Sequence, residues 1–453
     1  MIVSPAFAGR RYAVLGLARS GLATVRALVE SGAHVTAWDS REEARAIVPA
    51  GVTLDDPMEI DLDGFDGIVV SPGVPLNTHP IATRARDAGV PVIGDIELFA
   101  MARPSLPEHK VVGITGTNGK STTTALIHHF LNTARVPATL GGNIGLPILG
   151  QEPLPAGGVY VLELSSFQID LTHSLACDVA VITNITPDHL DRYDDFAGYA
   201  ASKARLFAMQ QSGQVAVIAV DDEETRALAR RFSTLQALPL AMEGLLGSAI
   251  PMPMPAIGPT VVEVSAKGAG DQSSWPALQG PHNAQNVAVA VAATRALGVS
   301  DEAIEQGLRT YPGLPHRMER VAELDGVLFV NDSKATNATS AAPALGAYPR
   351  IHWILGGRRK TDDLDACKPF YGHVVAAYTI GESAELFAKI LLEAGIYATN
   401  CGTLENAVRQ AAAVARFGET VLLSPACASY DQFSDYEARG EAFRVAVAGL
   451  GTR

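Results

Sequence analysis

Residues 111–122 read VVGITGTNGKST, and this stretch decides the fold of the chain. An apolar, β-branched run predicts a buried strand, which enters a glycine-rich turn and then a helix that starts at Lys120 and Ser121. Backbone N–H groups at such a turn point toward a phosphate, and the helix dipole favours its negative charge. The pattern therefore predicts a phosphate-binding loop, in which Lys120 reaches the terminal phosphates and the Ser121 hydroxyl ligates magnesium.

The loop is a shortened form of the usual nucleotide-binding pattern. Ile114 stands where that pattern has its first glycine, so that the motif reads Gly116-x-x-Gly119-Lys120-Ser121. An ordinary strand-to-helix turn without a ligand is the alternative interpretation. The Gly-Lys-Ser sequence at a helix start favours nucleotide binding, because it places a cation and a hydroxyl where a phosphate and its metal ion need them.

The same alternation of strand and helix extends over the whole chain. Short β-branched runs predict strands at residues 12–17, 34–39, 67–71, 111–115, 158–164, 179–184, 214–220, 327–331, 351–356, 374–380 and 420–424. Strands that alternate with helices form parallel sheets covered on both faces, so we predict an α/β fold. Proline-bearing linkers at 101–107 and 311–315 predict three domains, residues 1–103, 104–313 and 314–453. A third proline-rich stretch, 250–259, is interpreted as a surface loop.

Length, composition and charge narrow the functional classes. The 453 residues are too many for one ordinary core, and 47% hydrophobic with 18% charged residues is a globular composition. The formal net charge of -13 disfavours nucleic acid and an anionic membrane as partners. No apolar run approaches the ~20 residues that span a membrane, and no secretory signal is visible, so we expect a cytoplasmic protein.

The four cysteines are scattered without a Cys-x-x-Cys pair. Their spacing predicts neither a zinc site nor a disulfide framework, and it is typical of a reducing compartment. Cys427 could serve as a nucleophile, but no adjacent base marks it for activation. A small buried thiol is therefore the favoured interpretation of this residue.

A second glycine-rich turn, at residues 16–21, follows the first predicted strand. Asp39 ends the next strand about 20 residues later, which resembles the dinucleotide fingerprint in which an acid holds a sugar hydroxyl. By itself this signal is weak, because such turns occur in many sheets without a cofactor. If the protein were an NAD-dependent dehydrogenase, the nucleotide-like site at residues 111–122 would remain unexplained.

Three polar residues in the middle of the chain are candidates for catalysis. Glu163 ends one predicted strand and His189 lies just beyond another, so both are expected at the carboxyl edge of the sheet, beside the phosphate loop. Either residue alone is more often a solvated acid or a core histidine, but their joint placement favours a functional role. Lys203 lies in a predicted helix, and its sequence context alone favours a surface lysine.

With these motifs in view, the sequence resembles the Mur ligase family along essentially its whole length. The motifs that carry the resemblance follow the order of the family, and they are residues 116–121 (GTNGKS), 163–168 (ELSSFQ), 184–189 (NITPDH), 282–286 (HNAQN) and 316–319 (HRME). The set is far more specific than the phosphate loop alone, and the family carries the same shortened loop. Residues 331–337 (NDSKATN) and 424–433 (SPACASYDQF) are similar to the signatures of the D-glutamate-adding members.

The resemblance implies Rossmann-like N-terminal and C-terminal domains around a central ATP-binding domain of the P-loop type. A UDP-sugar, and not NAD, would be bound in the N-terminal part through Arg19, Ser20, Asp39, Ser40, Arg41, Gly73 and, near the reacting end, Asn143. ATP would be bound by Gly116, Thr117, Asn118, Gly119, Lys120, Ser121 and Thr122, and Asn286, Arg317 and Asp332 would complete the nucleotide site from the domain junction. D-Glutamate brings two carboxylates that need cations and hydroxyls, and its implied contacts are Lys334, Thr336, Lys360 and Ser429.

The implied reaction is the ATP-dependent addition of D-glutamate to UDP-N-acetylmuramoyl-L-alanine in peptidoglycan precursor synthesis. It passes through an acyl phosphate and a tetrahedral intermediate, with Lys120, His189 and Lys203 as catalytic residues. The resemblance also implies two Mg²⁺ ions, held by Ser121, Glu163, His189 and Lys203, the last as a carbamate. We expect a monomer whose partners are the two substrates, with no nucleic-acid or membrane partner.

Two alternatives and two departures accompany this resemblance. A folylpolyglutamate synthase-like ligase would share the middle and C-terminal domains, but such enzymes lack a UDP-binding N-terminal domain such as residues 1–103. A module that hydrolyses ATP without ligation is the alternative from another class. Arg358 stands where some family members have an acid, and Arg19 replaces an apolar residue at the uridine-binding turn of some members.

Overall fold

The structure is a computed structural model that describes residues 1–246 and 258–451. The surface loop predicted at 250–259 lies almost entirely outside these residues. The chain forms two compact units, Met1–Ala269 with Gln285–Leu308 and Gly270–Ala284 with Arg309–Arg453. Among the described helices, none is both long enough and apolar enough to cross a membrane.

The first unit begins with a four-stranded sheet. Its strands are β1 (Arg11–Leu15), β2 (His34–Trp38), β3 (Gly67–Val70) and β4 (Val92–Ile93), and its helices are α1 (Arg19–Glu30), α2 (Glu42–Arg45), α3 (Ile81–Asp87) and α4 (Asp95–Ala102). The strand order is β2-β1-β3-β4, and all pairs are parallel. All four residues of β3 and the last four of β1 are buried, as expected for a parallel sheet with both faces covered.

The second sheet of the first unit has six parallel strands. They are β5 (His109–Thr115), β6 (Ala138–Gly142), β7 (Gly158–Glu163), β8 (Val179–Ile182), β9 (Val215–Ala219) and β10 (Thr260–Val264). The accompanying helices are α5 (Lys120–Thr133), α6 (Ser166–Asp170), α7 (Phe196–Ala208), α8 (Glu223–Leu246), α9 (Pro281–Ala296) and α10 (Asp301–Thr310). The order β10-β9-β8-β5-β7-β6 places β5 between β8 and β7, so the segments that follow these three strands meet at one edge.

The second unit contains a six-stranded mixed sheet. Its strands are β11 (Glu319–Leu324), β12 (Val327–Asn331), β13 (Ile351–Gly356), β14 (Val374–Ile380), β15 (Ala398–Gly402) and β16 (Thr420–Leu423), in the order β11-β12-β16-β13-β14-β15. Its helices are α11 (Ala338–Ala347), α12 (Ala384–Glu393), α13 (Leu404–Val414) and α14 (Tyr436–Ala448). Short 3-10 helices of the described chain lie at Pro5–Phe7, Arg103–Ser105, Ile148–Gly150, Ala266–Ala269 and Asp365–His373.

The expectation of purely parallel sheets is wrong at one edge, because β11 pairs antiparallel with β12. The two strands are joined by Asp325 and Gly326, whose φ angles of 50° and 75° are both positive. An Asp-Gly pair with two positive φ angles is the turn that suits a two-residue β-hairpin. This hairpin adds an antiparallel strand to an otherwise parallel sheet, as mixed α/β sheets commonly do.

Candidate active site

The predicted phosphate loop connects β5 to α5, and two of its residues must be glycine. Gly116 and Gly119 have φ angles of 145° and 83°, which strain residues that carry a side chain. A Cβ atom on Gly116 would lie 2.0 Å from Thr183 Oγ1, and one on Gly119 would lie 2.1 Å from Asn286 Oδ1. The loop therefore packs its backbone directly against Thr183 and Asn286, and it begins a helix whose N-terminus can receive an anion.

The segment after β8 fixes the shape of this loop. Asn184 accepts hydrogen bonds from the N–H of Thr117, through its carbonyl at 2.9 Å, and from the N–H of Asn118, through Oδ1 at 2.8 Å. The Thr183 hydroxyl donates to the carbonyl of Asn118 at 2.6 Å. Asn184 belongs to a motif that the sequence singled out, but its role as the brace of the phosphate loop was not predicted.

Two lysine side chains converge on the carbonyl of Gly116. Lys120 Nζ donates to it at 3.0 Å and to the carbonyl of Thr117 at 2.7 Å, while Lys203 Nζ donates to the Gly116 carbonyl at 2.9 Å. Lys203 is 1% exposed, so the surface-lysine interpretation of its sequence context is wrong. Burial, and then the neighbouring charge of Lys120, lowers the pKa of Lys203 to about 7.

Glu163 ends β7 with a buried carboxylate that is only half satisfied. Its Oε1 accepts a hydrogen bond from Asn143 Nδ2 at 3.2 Å, but its Oε2 has no hydrogen-bond partner among the residues that the structure describes. The side chain is 2% exposed, and leaving a buried acceptor unsatisfied costs about 1–3 kcal/mol. A carboxylate oxygen kept free in this way is the type of ligand that Mg²⁺ prefers.

His189 lies in an exposed segment beyond β8 and has a positive φ of 53°. Its ring packs edge-on against Phe167 with a centroid distance of 5.0 Å. Partial burial, together with the positive charges of Lys120 and Lys203, lowers the pKa of His189. The imidazole is therefore neutral near pH 7, which is the form that can ligate a metal ion.

These residues fit magnesium in part. Glu163 supplies a free oxygen, Ser121 a hydroxyl at the start of α5, and His189 a neutral imidazole. Across residues 1–246 and 258–451, no group of three or more His, Cys, Asp and Glu side chains is arranged to hold a metal. Lys203 as an amine or ammonium offers no anionic oxygen, so a further metal ligand at this position requires its carbamate form.

The predicted UDP-sugar residues include several around the glycine-rich turn at residues 16–21. Asp39 accepts from the N–H of Leu17 at 2.7 Å and forms an ion pair with Arg41 at 3.0 Å, and the hydrogen bond from Arg41 lowers the pKa of Asp39 to about 2. Asp39 therefore stays charged and fixes the turn. Ser40 and Arg41 follow it directly on the exposed side, and Ser20 lies at the start of α1.

The residues 141–145 join this turn to the phosphate-loop sheet. Asn143 donates its backbone N–H to the carbonyl of Glu163 at 2.8 Å, and Arg19 Nη2 reaches the carbonyl of Gly145 at 3.4 Å. Gly73 lies exposed beyond β3, and a Cβ there would meet nothing within 4 Å in the described chain. The structure thus brings Asn143 to Glu163 and Arg19 to the same loop.

In the second unit, the predicted D-glutamate residues follow three adjacent parallel strands. Lys334 and Thr336 come after β12, Ser429 after β16, and Lys360 after β13. Lys334 Nζ lies 3.7 Å from the centre of the Tyr436 ring, Ser429 is buried, and Lys360 is exposed. The carboxyl edge of this sheet therefore carries all four residues, whose ammonium and hydroxyl groups are the types that bind a carboxylate.

Arg439, which the sequence did not single out, holds the loops of this edge together. It lies on α14, is 1% exposed, and donates to the carbonyl of Ser333 at 2.8 Å and to the carbonyl of Cys427 at 3.0 Å. Its Nε donates to the Ser333 hydroxyl at 3.0 Å. One guanidinium thus binds the segments after β12 and β16, and only its burial among carbonyls reveals that role.

Two residues predicted for the ATP site, Arg317 and Asp332, lie close to each other in the second unit, whereas Asn286 lies beside the phosphate loop in the first. Asp332 accepts hydrogen bonds from the N–H of Met318 at 3.2 Å and from the Ser424 hydroxyl at 2.8 Å. Burial raises the pKa of Asp332 to about 7, although the charge of Arg317 opposes this shift.

The raised pKa of Asp332 predicts a pH-dependent stability. Its pKa is about 3.9 in an unfolded chain and about 7 in the fold, so the folded state binds the additional proton between these values and loses stability as pH rises from 4 to 7. Asp332→Asn, which has nearly the same shape but no titratable proton, should remove this component. A change of 1 kcal/mol in the free energy of unfolding shifts the melting temperature by about 2–4 °C in a domain of this size. The measurement is the melting temperature of both proteins at pH 5 and pH 8. An equal change in melting temperature between pH 5 and pH 8 in the two proteins would contradict the raised pKa of Asp332.

Two further sequence interpretations have clear outcomes. All four cysteines are buried and free, which confirms the buried-thiol interpretation of Cys427, and burial raises the pKa of this thiol to about 11. Arg358, the departure from the family pattern, is exposed and lies 3.5 Å from Glu382 as an ion pair. An exposed pair of this kind contributes little to stability.

The fold and the site together define an ATP-binding α/β enzyme of the P-loop type. Family models match three stretches of the chain: the Mur ligase MurD-like N-terminal domain at residues 10–94, the Mur ligase middle domain at 114–294, and the Mur ligase glutamate ligase domain at 316–427. The chain therefore belongs to the Mur ligase family, whose members use ATP and Mg²⁺.

A named relative agrees with this assignment, and two solved structures share the fold. A protein of Novosphingobium aromaticivorans named UDP-N-acetylmuramoylalanine–D-glutamate ligase is 62% identical over 99% of this chain and 97% of its own length. The structure of UDP-N-acetylmuramate–alanine ligase from Thermotoga maritima matches with a TM-score of 0.58 and 16% identity, covering 97% of this chain and 99% of that one. A bifunctional folylpolyglutamate synthase/dihydrofolate synthase from Yersinia pestis matches with a TM-score of 0.53 and 19% identity, covering 84% of this chain and 99% of its own.

Proposed function

We propose that this protein is a cytoplasmic ligase that adds D-glutamate to UDP-N-acetylmuramoyl-L-alanine at the expense of ATP, in peptidoglycan precursor synthesis. The observation that carries the proposal is the 62% identity, over 99% of the chain, to a relative named for this reaction. The site agrees with it, because two anionic substrates and a triphosphate require the cations that Lys120, Lys334 and Lys360 supply. The protein would act as a monomer on its two substrates.

The proposal gives one role to each of three domains. Residues 1–103 would bind the UDP-sugar through Arg19, Ser20, Asp39, Ser40, Arg41 and Gly73, with Asn143 added from the next domain. Residues 104–313 would bind ATP through positions 116–122 and Asn286. Residues 314–453 would bind D-glutamate through Lys334, Thr336, Lys360 and Ser429, and would contribute Arg317 and Asp332 to the nucleotide site.

The reaction joins a carboxylate to an amine through phosphoryl activation. The γ-phosphoryl group passes from ATP to the substrate carboxylate, which yields ADP and an acyl phosphate. The D-glutamate nitrogen attacks the acyl carbon, and the tetrahedral intermediate loses phosphate and a proton to leave the amide. Catalysis of such transfers consists largely of positioning and charge neutralisation, which we assign to Lys120 and the N–H groups of the phosphate loop.

The chain's own oxygen and nitrogen ligands would hold magnesium beside these groups. Ser121, Glu163 and His189 are the proposed ligands, and bound Mg²⁺ neutralises phosphate charge. We include a second ion in the proposal, with Lys203 as its ligand after reaction of the neutral amine with CO₂. The carbamate forms when the nitrogen bonds to the CO₂ carbon and releases one proton. The low pKa of Lys203 and its burial support this modification.

Product analysis tests the proposal directly. The purified protein is incubated with UDP-N-acetylmuramoyl-L-alanine, ATP, Mg²⁺ and each of a panel of amino acids, and products are identified by mass. We expect incorporation of D-glutamate, with phosphate release only when both substrates are present. Full-rate phosphate release with ATP alone would establish the non-ligating hydrolase instead, and incorporation of L-glutamate alone would overturn the D-specific assignment. Glutamate transfer to a folate would favour the folylpolyglutamate synthase alternative.

Lys360→Ala tests the assignment of the amino-acid pocket. Loss of one charge-assisted contact to a carboxylate removes about 1.5–3 kcal/mol, so the KM for D-glutamate should rise about 10- to 100-fold while the KM for ATP stays within about twofold. Steady-state kinetics with each substrate varied in turn measure both constants. Lys389→Ala is the matched control, because Lys389 is an exposed lysine on α12 of the same unit. A rise in the KM for ATP would assign Lys360 to the nucleotide site.

A further inference from the structure

The segment 188–193 carries His189 but has little burial of its own. Residues 186–191 are exposed, and His189 itself adopts a positive φ of 53°. Such a conformation is uncommon for a residue with a side chain, and it persists only where the surroundings determine it. Contacts between this segment and residues elsewhere in the chain must therefore hold it in place.

Arg192 makes the first of these contacts, with its guanidinium over the ring of Phe167. Its Cζ lies 4.1 Å from the centre of the Phe167 ring. The same ring meets His189 edge-on at 5.0 Å, and it stacks on Tyr193 at 6.1 Å. Arg192 thus holds Phe167 in the orientation that supports His189. His189 lies three residues before Arg192 in the chain.

The edge of the same guanidinium makes a second contact, with the part of the chain that follows β3. Arg192 Nη2 donates to the carbonyl of Val74 at 3.1 Å. A parallel link runs in the opposite direction, because Asn77 Nδ2 donates to the carbonyl of Asp191 at 3.0 Å. These two hydrogen bonds join the segment 188–193 to residues 71–79, which include Gly73.

We propose that Arg192 is a positioning residue that couples occupancy of the UDP-sugar site to the placement of the His189 ring. The inference rests on the proposed function for the roles of Gly73 and His189. A UDP-sugar that orders residues 71–79 would hold the Val74 carbonyl in place, and Arg192 would transmit that order through Phe167. His189 would then adopt its working position only when the sugar nucleotide is bound.

The two-sided contact explains why this residue is an arginine. A guanidinium can stack its face on an aromatic ring while its edge donates a hydrogen bond to a carbonyl. A lysine ammonium can approach the ring or the carbonyl, but it has no flat face to do both in a fixed geometry. Arg192→Lys should therefore behave like Arg192→Gln, although it keeps the positive charge.

The test uses UDP as a probe and the ring protons of His189 as the reporter. In the wild-type protein, UDP is expected to bind and to shift the His189 ring signal in NMR spectra, which are assigned with a His189→Gln variant. In Arg192→Gln and Arg192→Lys, UDP is expected to bind, as measured by calorimetry, without shifting that signal. Their kcat should fall about 10- to 100-fold, as for other residues that orient a metal ligand, with an unchanged KM for ATP.

Matched variants separate coupling from general destabilisation. Arg84→Gln removes an arginine that also donates to backbone carbonyls, those of Pro57 and Ile60, and it should leave the His189 shift intact. Asn77→Ala, which cuts the parallel link, should reduce the shift. A His189 signal that still moves with UDP in both Arg192 variants would overturn the coupling and leave the proposed function standing. Failure of UDP to bind the wild-type protein would instead overturn the UDP-sugar assignment on which the coupling rests.

Discussion

Lys120→Ala is expected to abolish phosphoryl transfer while the protein stays folded. Lys120 begins α5 directly after Gly119, and its ammonium lies over the loop carbonyls of Gly116 and Thr117, where a phosphate chain would run. Loss of one donor that stabilises developing charge costs about 2.7–4 kcal/mol of barrier, or about 10²–10³-fold in kcat. These hydrogen bonds go to carbonyls of the loop and not of the sheet, so we expect the packing of the sheet to survive removal of the lysine.

The measurement is ADP formation with both substrates saturating, accompanied by a thermal melt of the same preparation. Lys110→Ala provides the matched control, because Lys110 is an exposed lysine at the opposite end of the same strand β5. We expect the control to retain wild-type turnover. Turnover of a folded Lys120→Ala protein within about threefold of wild type would reject the phosphate-loop assignment, since the expected loss is at least ~10²-fold.

The strands that the sequence predicted and those that it missed differ in their position in the sheets. All eleven predicted strands exist, and their ends differ from the predicted ones by at most two residues. Ten of them are central strands, which are continuous apolar runs, and the eleventh, β2, is an edge strand with alternating burial. The five that were missed, β4, β6, β10, β11 and β15, are all edge strands in the described sheets. One face of an edge strand is often open to solvent, and β6 (ATLGG) and β15 (ATNCG) carry small and polar residues that give no strand signal.

The site shows a similar division between what a pattern can predict and what only packing can. The positions of Lys120 and Glu163 follow from their place after a buried strand, since carboxyl ends of neighbouring parallel strands meet. The burial of Lys203 could not be predicted from a helix that also carries Arg205, because it depends on how α7 packs over the loop. The role of Arg439 likewise depends on carbonyls that lie 12 and 106 residues away in sequence.

Lys203 is the second residue whose replacement is expected to have a large effect on activity, because its surroundings favour a neutral amine. The side chain is 1% exposed, its Nζ lies 4.5 Å from the centre of the Tyr199 ring, and it shares the Gly116 carbonyl with the ammonium of Lys120. Burial and the like charge together lower its pKa to about 7, so a large fraction is neutral and nucleophilic near physiological pH. Reaction with CO₂ would replace the repulsion between two cations by an attraction between a carbamate and Lys120.

The carbamate also fits the existing hydrogen bond. A carbamylated lysine keeps one N–H, so the contact with the Gly116 carbonyl at 2.9 Å can persist while the new oxygens serve as ligands for a hard cation. An ammonium at the same place would repel that cation. We therefore expect Lys203→Ala and Lys203→Arg to lose activity about 10²-fold or more, a loss comparable to that of other essential charged groups in phosphoryl transfer.

Chemical rescue distinguishes this role from a structural one. Acetate should restore part of the activity of Lys203→Ala, because its carboxylate can fill the space left by the carbamate, but it should not help Lys203→Arg, which has no such space. Carbon-13 NMR with labelled bicarbonate should show a carbamate signal in the wild-type protein that both variants lack. The signal and the activity should decline together as pH falls below the lysine pKa of about 7, because protonation removes the nucleophile. Full activity of Lys203→Ala in CO₂-depleted buffer would show that the lysine side chain, including its hydrogen bond to the Gly116 carbonyl, is dispensable, and it would reject the carbamate.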